Sequence, residues 1–215
     1  MIKTTFQPSR ENLIRNKKYP LIIYLHGAGE RGRNIKNLYR HGIPELIIKG
    51  REIDAYVLSP QCPGNCVWDN IVFDVKALID SVISTYNLDT TRISLTGSSM
   101  GGFGTFQMAF SFNNFFSCIA PVAGGGNSWR SSNLIGLPIK MYHGNKDDAV
   151  PIEYSYLMYN TLKWINKDTE LVVLDGYGHN DGIDHAYFDL DIIEYLLSHT
   201  NENRKINEEF LHEMF

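Results

Sequence analysis

The chain has 215 residues, 43% hydrophobic and 20% charged, with a formal net charge of -4 at pH 7. That length suits one domain with a sizeable core, and the charge leaves no basic footprint for nucleic acid or an anionic membrane. No apolar stretch approaches the roughly 18 residues of a membrane span, and three cysteines are too few for a disulfide scaffold.

The opening segment, MIKTTFQPSRENLIRNKKYP, has no apolar run followed by small residues. No signal peptide is expected there, and the default compartment is cytoplasmic. From residue 19 the chain alternates between two patterns. YPLIIYLHG is a short β-branched run bounded by Pro20 and Gly27, which reads as a buried strand. DAYVLSP, RISLTG, SCIAPVAG, LPIKMYHG and TELVVLDGYG have the same character. Brief apolar runs closed by Gly or Pro are the mark of parallel strands covered on both faces.

Between these strands lie segments of helical period. DNIVFDVKALIDSVISTYN sets Ile71, Val75, Leu78, Ile79 and Val82 on one stripe, with Asp69 as the expected N-cap. GGFGTFQMAFSF, IEYSYLMYNTLKWIN and HAYFDLDIIEYLLSHT are further helices, and GIPELIIKG suits another within the irregular stretch from Gly27 to Asp54. Strand–helix alternation implies right-handed crossovers and an open, mostly parallel sheet with helices on both faces. One domain over residues 1–215 is expected, with a core at about 20–200, a charged tail at 201–215 and no separate lid domain.

Ligands of such sheets bind beyond the carboxyl ends of the strands, and the chemistry-bearing residues cluster there. RISLTG runs into SSMGGFG and then into helical sequence, so Gly97-Ser98-Ser99-Met100-Gly101 fits the G-x-S-x-G turn. The spacing selects Ser99, which has a glycine two residues to either side; Ser98 is flanked by Thr96 and Met100. A serine needs a base to take its proton, and the pattern orders the partners as serine, acid, histidine. His179, in LDGYGHND after the last strand, is the expected base. His185 opens the next helix, His199 and His212 fall at the chain's end, and His26, His41 and His143 lie upstream of the required place. MYHGNKDDAVP offers two adjacent acids, Asp147 and Asp148, with Asp175 a weaker third. Met100 and the glycine-rich YLHGAGERG loop, through Ala28, are the expected backbone donors of an oxyanion hole. That loop matches neither phosphate-binding glycine pattern.

Together and in this order, LHGAGERG, SPQCP followed by Trp68, TGSSMGGFGTF, HGNKDDAVP and GYGH resemble the α/β-hydrolase fold. The resemblance is to its dienelactone hydrolase and phospholipase/carboxylesterase branch, and within it to small esterases often labelled predicted peptidases, related to feruloyl and acetyl-xylan esterase domains. It covers residues 20–180. It implies a Ser99, Asp147, His179 triad, the acid motif H-G-x-x-D-x-x-V-P falling on His143 to Pro151 and so choosing Asp147. It also implies Ala28 and Met100 as oxyanion donors, and no metal or cofactor.

The function this implies is a serine carboxylesterase acting through an acyl-enzyme on short-chain or carbohydrate-linked acyl or feruloyl-type esters. A peptidase or acyltransferase on the same triad, or an inactive binding protein on the same fold, are the alternatives. Gly27 and Trp68 are read as bordering the substrate, Trp68 either stacking on a sugar or aromatic acyl group or buried against the sheet. Cys62 and Cys66 share a loop and are expected as free thiols in a reducing compartment. The expected partner is a small or carbohydrate-linked ester, with no nucleic acid and no membrane; the oligomeric state leaves no trace in the sequence.

Overall fold

Strand β2 (Tyr19–Leu25) is buried at every position, as a continuous apolar run demands. Its alternation divides the core: Leu21, Ile23 and Leu25 face one hydrophobic cluster, Ile22 and Tyr24 the other. The computed structural model describes residues 4–7 and 17–203. The last twelve residues of the expected tail, with His212, lie outside the described residues.

In chain order the further elements are β1 (Thr4–Gln7), α1 (Gly42–Ile48), β3 (Tyr56–Pro60), α2 (Val72–Thr85), β4 (Leu88–Ser98) and α3 (Met100–Ser111). Then come β5 (Cys118–Val122), β6 (Ile139–Gly144), α4 (Glu153–Leu162), β7 (Thr169–Leu174), α5 (His179–Phe188) and α6 (Ile192–Ser198). The sheet order is β1-β3-β2-β4-β5-β6-β7. Only β1 runs antiparallel, against β3; the other six strands are parallel. Helices α2, α3 and α4 cover one face and α1, α5 and α6 the other, so both core clusters are closed. This is the expected α/β-hydrolase fold. No helix among the described residues is long and apolar enough to cross a membrane.

Two helix boundaries differ from expectation. Asp69 is not an N-cap: the chain enters α2 through a 3-10 turn, Trp68–Ile71, and Asn70 closes that turn by accepting the Val67 amide at 3.1 Å. The single helix expected over 185–200 is two. Helix α5 starts at His179, where Asp181 reaches back to accept the Gly178 amide at 3.1 Å, so His185 lies inside it rather than at its start. The break before α6 is anchored by Asp191, which accepts from Lys140 at 2.8 Å and from the Tyr142 hydroxyl at 3.0 Å, both on β6.

Candidate active site

Strand β4 crosses the middle of the sheet and ends at Ser98; α3 begins two residues later. The whole reversal falls on Ser99, whose backbone adopts φ 56° and ψ -119°. A positive φ at a non-glycine residue costs on the order of 1–3 kcal/mol and persists only where the surroundings enforce it. Here the Ser99 amide donates to the Val122 carbonyl at 3.0 Å, and its own carbonyl accepts the Gly102 and Phe103 amides at 2.8 and 3.1 Å. The flanking glycines let the backbones close in. A Cβ on Gly97 would meet the Leu25 carbonyl at 2.6 Å, and one on Gly101 would overlap that same oxygen.

The turn sends the two serine hydroxyls apart. Ser98 is 2% exposed and its Oγ pairs with the Tyr24 hydroxyl at 3.0 Å, inside the core. Ser99 is partly exposed and its Oγ lies 2.9 Å from His179 Nε2. His179 Nδ1 lies 2.7 Å from Asp147 Oδ2. A carboxylate only accepts, so Nδ1 carries the proton and Nε2 is left to accept from Ser99. The Asp147 side chain is fully buried, and its other oxygen accepts the Ala149 and Val150 amides at 3.0 and 2.8 Å. A second imidazole, His143, stands 3.3 Å from Asp147 Oδ2. Asp148 is exposed, and Asp175 accepts from the Asn145 side chain at 2.7 Å. Three chain-distant residues thus form one chain of hydrogen bonds at the carboxyl ends of β4, β6 and β7.

The loop after β2 lies against this chain. Gly27 is buried, and a Cβ on it would stand 3.6 Å from the Ser99 Cβ. Ala28 follows, exposed, at the start of a 3-10 turn (Ala28–Glu30), and Met100 is the first residue of α3. The 61–68 segment clamps the loop from behind. Gln61 donates to the Glu30 and Asn34 carbonyls at 2.8 Å each, Arg31 donates to the Cys66 carbonyl at 3.3 Å, and the Gly32 amide donates to the Cys62 carbonyl at 2.9 Å. His26 Nε2 accepts the Cys62 amide at 2.9 Å, which puts the ring proton on Nδ1, 2.6 Å from the Gly27 carbonyl. Burial pulls the His26 pKa down to about 4, so this ring is neutral near pH 7.

Of the two readings of Trp68, the structure takes burial rather than a ring that borders the substrate. Its side chain is buried, its Nε1 donates to the His26 carbonyl at 2.9 Å, and its ring meets His26 edge-on at 4.9 Å. A Cβ on Gly104 would sit 2.7 Å from Trp68. The indole is packed between α3 and the loop after β2, with no free face for a ligand. Cys62 and Cys66 are unpaired thiols. Sequence reasoning missed the Gln61 clamp, which joins two loops that only the folded sheet brings together, and the contact of His143 with Asp147, although both stand four residues apart in the H-G-x-x-D motif. Among the described residues, His41, Glu45 and Asp184 bring three ligand-type atoms within 4.8 Å of one another. His41 already pairs with Asp184 at 3.0 Å and Glu45 with Lys49 at 2.8 Å.

Known proteins share this framework. A thermostable esterase of known structure matches with a TM-score of 0.77 and 25% identity, over 93% of this chain and 63% of the other. A feruloyl esterase module from Clostridium thermocellum, solved with sinapinate, matches with a TM-score of 0.67 at 17% identity, over 86% and 79% of the two chains. A bifunctional acetylxylan esterase/xylanase of Neocallimastix patriciarum is 34% identical over 76 residues, 35% of this chain and 11% of the relative. The chain spans between 11% and 31% of the lengths of the curated relatives it matches. The phospholipase/carboxylesterase family model matches residues 66–188, more than half of the sequence and the part that carries Ser99, Asp147 and His179. The chain belongs to the phospholipase/carboxylesterase family.

Proposed function

We propose that the protein is a serine carboxylesterase working through a Ser99–His179–Asp147 triad. The observation that carries this reading is the continuous path from Ser99 Oγ to His179 at 2.9 Å and from His179 to Asp147 at 2.7 Å. Ser99 Oγ attacks the ester carbonyl carbon while His179 Nε2 takes its proton. The C=O electron pair moves onto oxygen, where the amides of Ala28 and Met100 hold it. Each such donor is worth roughly 10²–10³-fold in kcat. Collapse breaks the carbon–oxygen bond to the alcohol, which leaves with the proton from His179. Water then attacks the acyl-enzyme with His179 as base again, releasing the acid and returning the proton to Ser99.

Asp147 holds His179 with its proton on Nδ1 and steadies the imidazolium that forms; it stays ionised throughout. The matches to an acetylxylan esterase and to a feruloyl esterase module point to short acyl or hydroxycinnamoyl esters of carbohydrate as the substrate class.

The test is hydrolysis of a chain-length series of nitrophenyl esters and of methyl ferulate, with fluorophosphonate labelling and mass mapping of the modified serine. The reading expects a single adduct on Ser99 and a loss on the order of 10⁶-fold in kcat for Ser99→Ala. A wild-type protein that neither labels nor hydrolyses any ester would move the inactive binding-protein reading to the front. Turnover of acyl-peptides without ester turnover would favour the peptidase.

A further inference from the structure

His143 closes β6 with no exposed surface, and both of its ring nitrogens are engaged. Nε2 lies 2.8 Å from the Val150 carbonyl and 3.3 Å from Asp147 Oδ2. Both neighbours only accept, so Nε2 carries a proton. Nδ1 lies 2.7 Å from Ser155 Oγ, which in turn stands 2.9 Å from the Gly124 carbonyl. With its proton on Nε2, the ring accepts the single Ser155 hydroxyl proton at Nδ1 and is thereby pinned to α4. Burial holds its pKa below the ordinary histidine value, which leaves a neutral ring with that one proton on Nε2.

These contacts form a closed circuit. Asp147 Oδ1 accepts the Val150 amide, the Val150 carbonyl accepts from His143 Nε2, and the same Nε2–H makes a longer contact back to Asp147 Oδ2. Neither the carboxylate nor the turn beneath it can rotate without breaking a member. We infer that His143 is a positioning residue for the triad acid, locking the Asp147–Val150 turn and sharing Asp147 Oδ2 with His179. This rests on the triad reading above.

Two effects on the chemistry follow. A carboxylate free to swing loses its alignment with His179 Nδ1, and displacement on the scale of 1 Å costs about 10²-fold. The His143 N–H also draws charge from Oδ2, so Asp147 stabilises the His179 imidazolium less than a carboxylate with one imidazole partner would. Removing that N–H leaves more negative charge on Oδ2 facing the His179 imidazolium. The groups that meet His179 are Asp147, on the loop after β6, and Ser99, at the turn after β4, with His143 acting on it electrostatically from the far side of Asp147.

The experiment compares His143→Ala, His143→Asn and His143→Gln by steady-state kinetics against pH, with thermal melts to establish folding. Gln extends an amide toward the place of Nε2, whereas Asn reaches only the place of Nδ1. The expected result is a kcat lower by about 10²-fold in Ala and Asn with KM little changed. Their acid limb of kcat/KM moves to higher pH, and Gln restores most of the rate and the limb. If Ala does not fold, the Asn and Gln pair carries the comparison. Folded Ala or Asn variants with wild-type kcat and limb would overturn the inference. So would equal losses in Asn and Gln with an unmoved limb, since that is what a purely structural histidine gives. Wild-type labelling at Ser99, measured alongside, separates this outcome from failure of the triad reading itself.

Discussion

The Cα of Gly101 rests against the carbonyl of Leu25, so closely that a Cβ there would overlap the oxygen and come within 2.9 Å of the His26 carbonyl as well. Both neighbours are backbone of β2 and the loop after it, and neither can move aside cheaply. Gly101→Ala therefore forces α3 away from β2 and carries Ser99 with it. Overpacking of this kind costs typically 1–3 kcal/mol and more where backbone is hit. Urea midpoints should fall accordingly for Gly101→Ala. The unfolding free energy should stay within about 0.5 kcal/mol for Gly29→Ala, whose Cβ would meet nothing within 4 Å.

Asp147 and Asp148 are adjacent and chemically identical, yet only one has a buried carboxylate against His179. Asn at position 147 can still accept the Ala149 and Val150 amides, so the fold should hold while the tautomer and charge are lost. A fall of about 10⁴ in kcat is expected for Asp147→Asn, against less than about twofold for the exposed Asp148→Asn. Burst-phase kinetics with a nitrophenyl ester would measure both. Equal effects would place the acid elsewhere.

The Ser98 hydroxyl serves the core. Removing it in Ser98→Ala strands the fully buried Tyr24 hydroxyl, at a cost of about 1–3 kcal/mol. Removing both partners in Tyr24→Phe with Ser98→Ala leaves no orphan, so the double variant should be less destabilised than the sum of the singles. Throughout the series kcat should stay near wild type. Denaturant titration gives the energies, and a large loss of kcat in folded Ser98→Ala would contradict the division of labour between the two serines.

What the sequence made legible follows from backbone chemistry. Gly97 and Gly101 mark the sharp turn because only glycine tolerates the contacts with Leu25, and apolar runs mark strands because both sheet faces are covered. Ser99, His179 and Asp147 stand at strand ends whose register is set by such local signals. The start of α5 was illegible because Gly176 and Gly178 read as loop, although Asp181, three residues past Gly178, is the capping residue in plain view. Trp68 offered no local sign of its orientation, since an indole between a loop and a helix fits either burial or stacking. His143 and Gln61 were illegible for a stronger reason. The Gln61 partners, Glu30 and Asn34, lie on another loop, and although Asp147 is only four residues past His143, an irregular turn carries no period to say that ring and carboxylate point at each other.

The buried imidazole of His26 makes stability depend on pH, with a definite sign. Burial lowers its folded pKa to about 4, the nearby Arg31 guanidinium pushes the same way, and the bond to the Gly27 carbonyl opposes both. In the unfolded chain the value is about 6.5. Between these limits the unfolded state binds more protons, so stability is complete above about pH 6.5 and is lost as pH falls toward 4. The contribution lost between pH 7 and pH 5 is about 2 kcal/mol. His143 is shifted in the same direction and adds to the trend, while the Glu30 carboxylate, 3.7 Å from His26 Nδ1, limits it. Urea unfolding at the two pH values should show the loss in the wild type and about 2 kcal/mol less of it in His26→Asn, whatever that variant's stability at pH 7. An identical pH slope in both proteins would mean that His26 takes up its proton in the folded state, and that the loop after β2 opens to admit it.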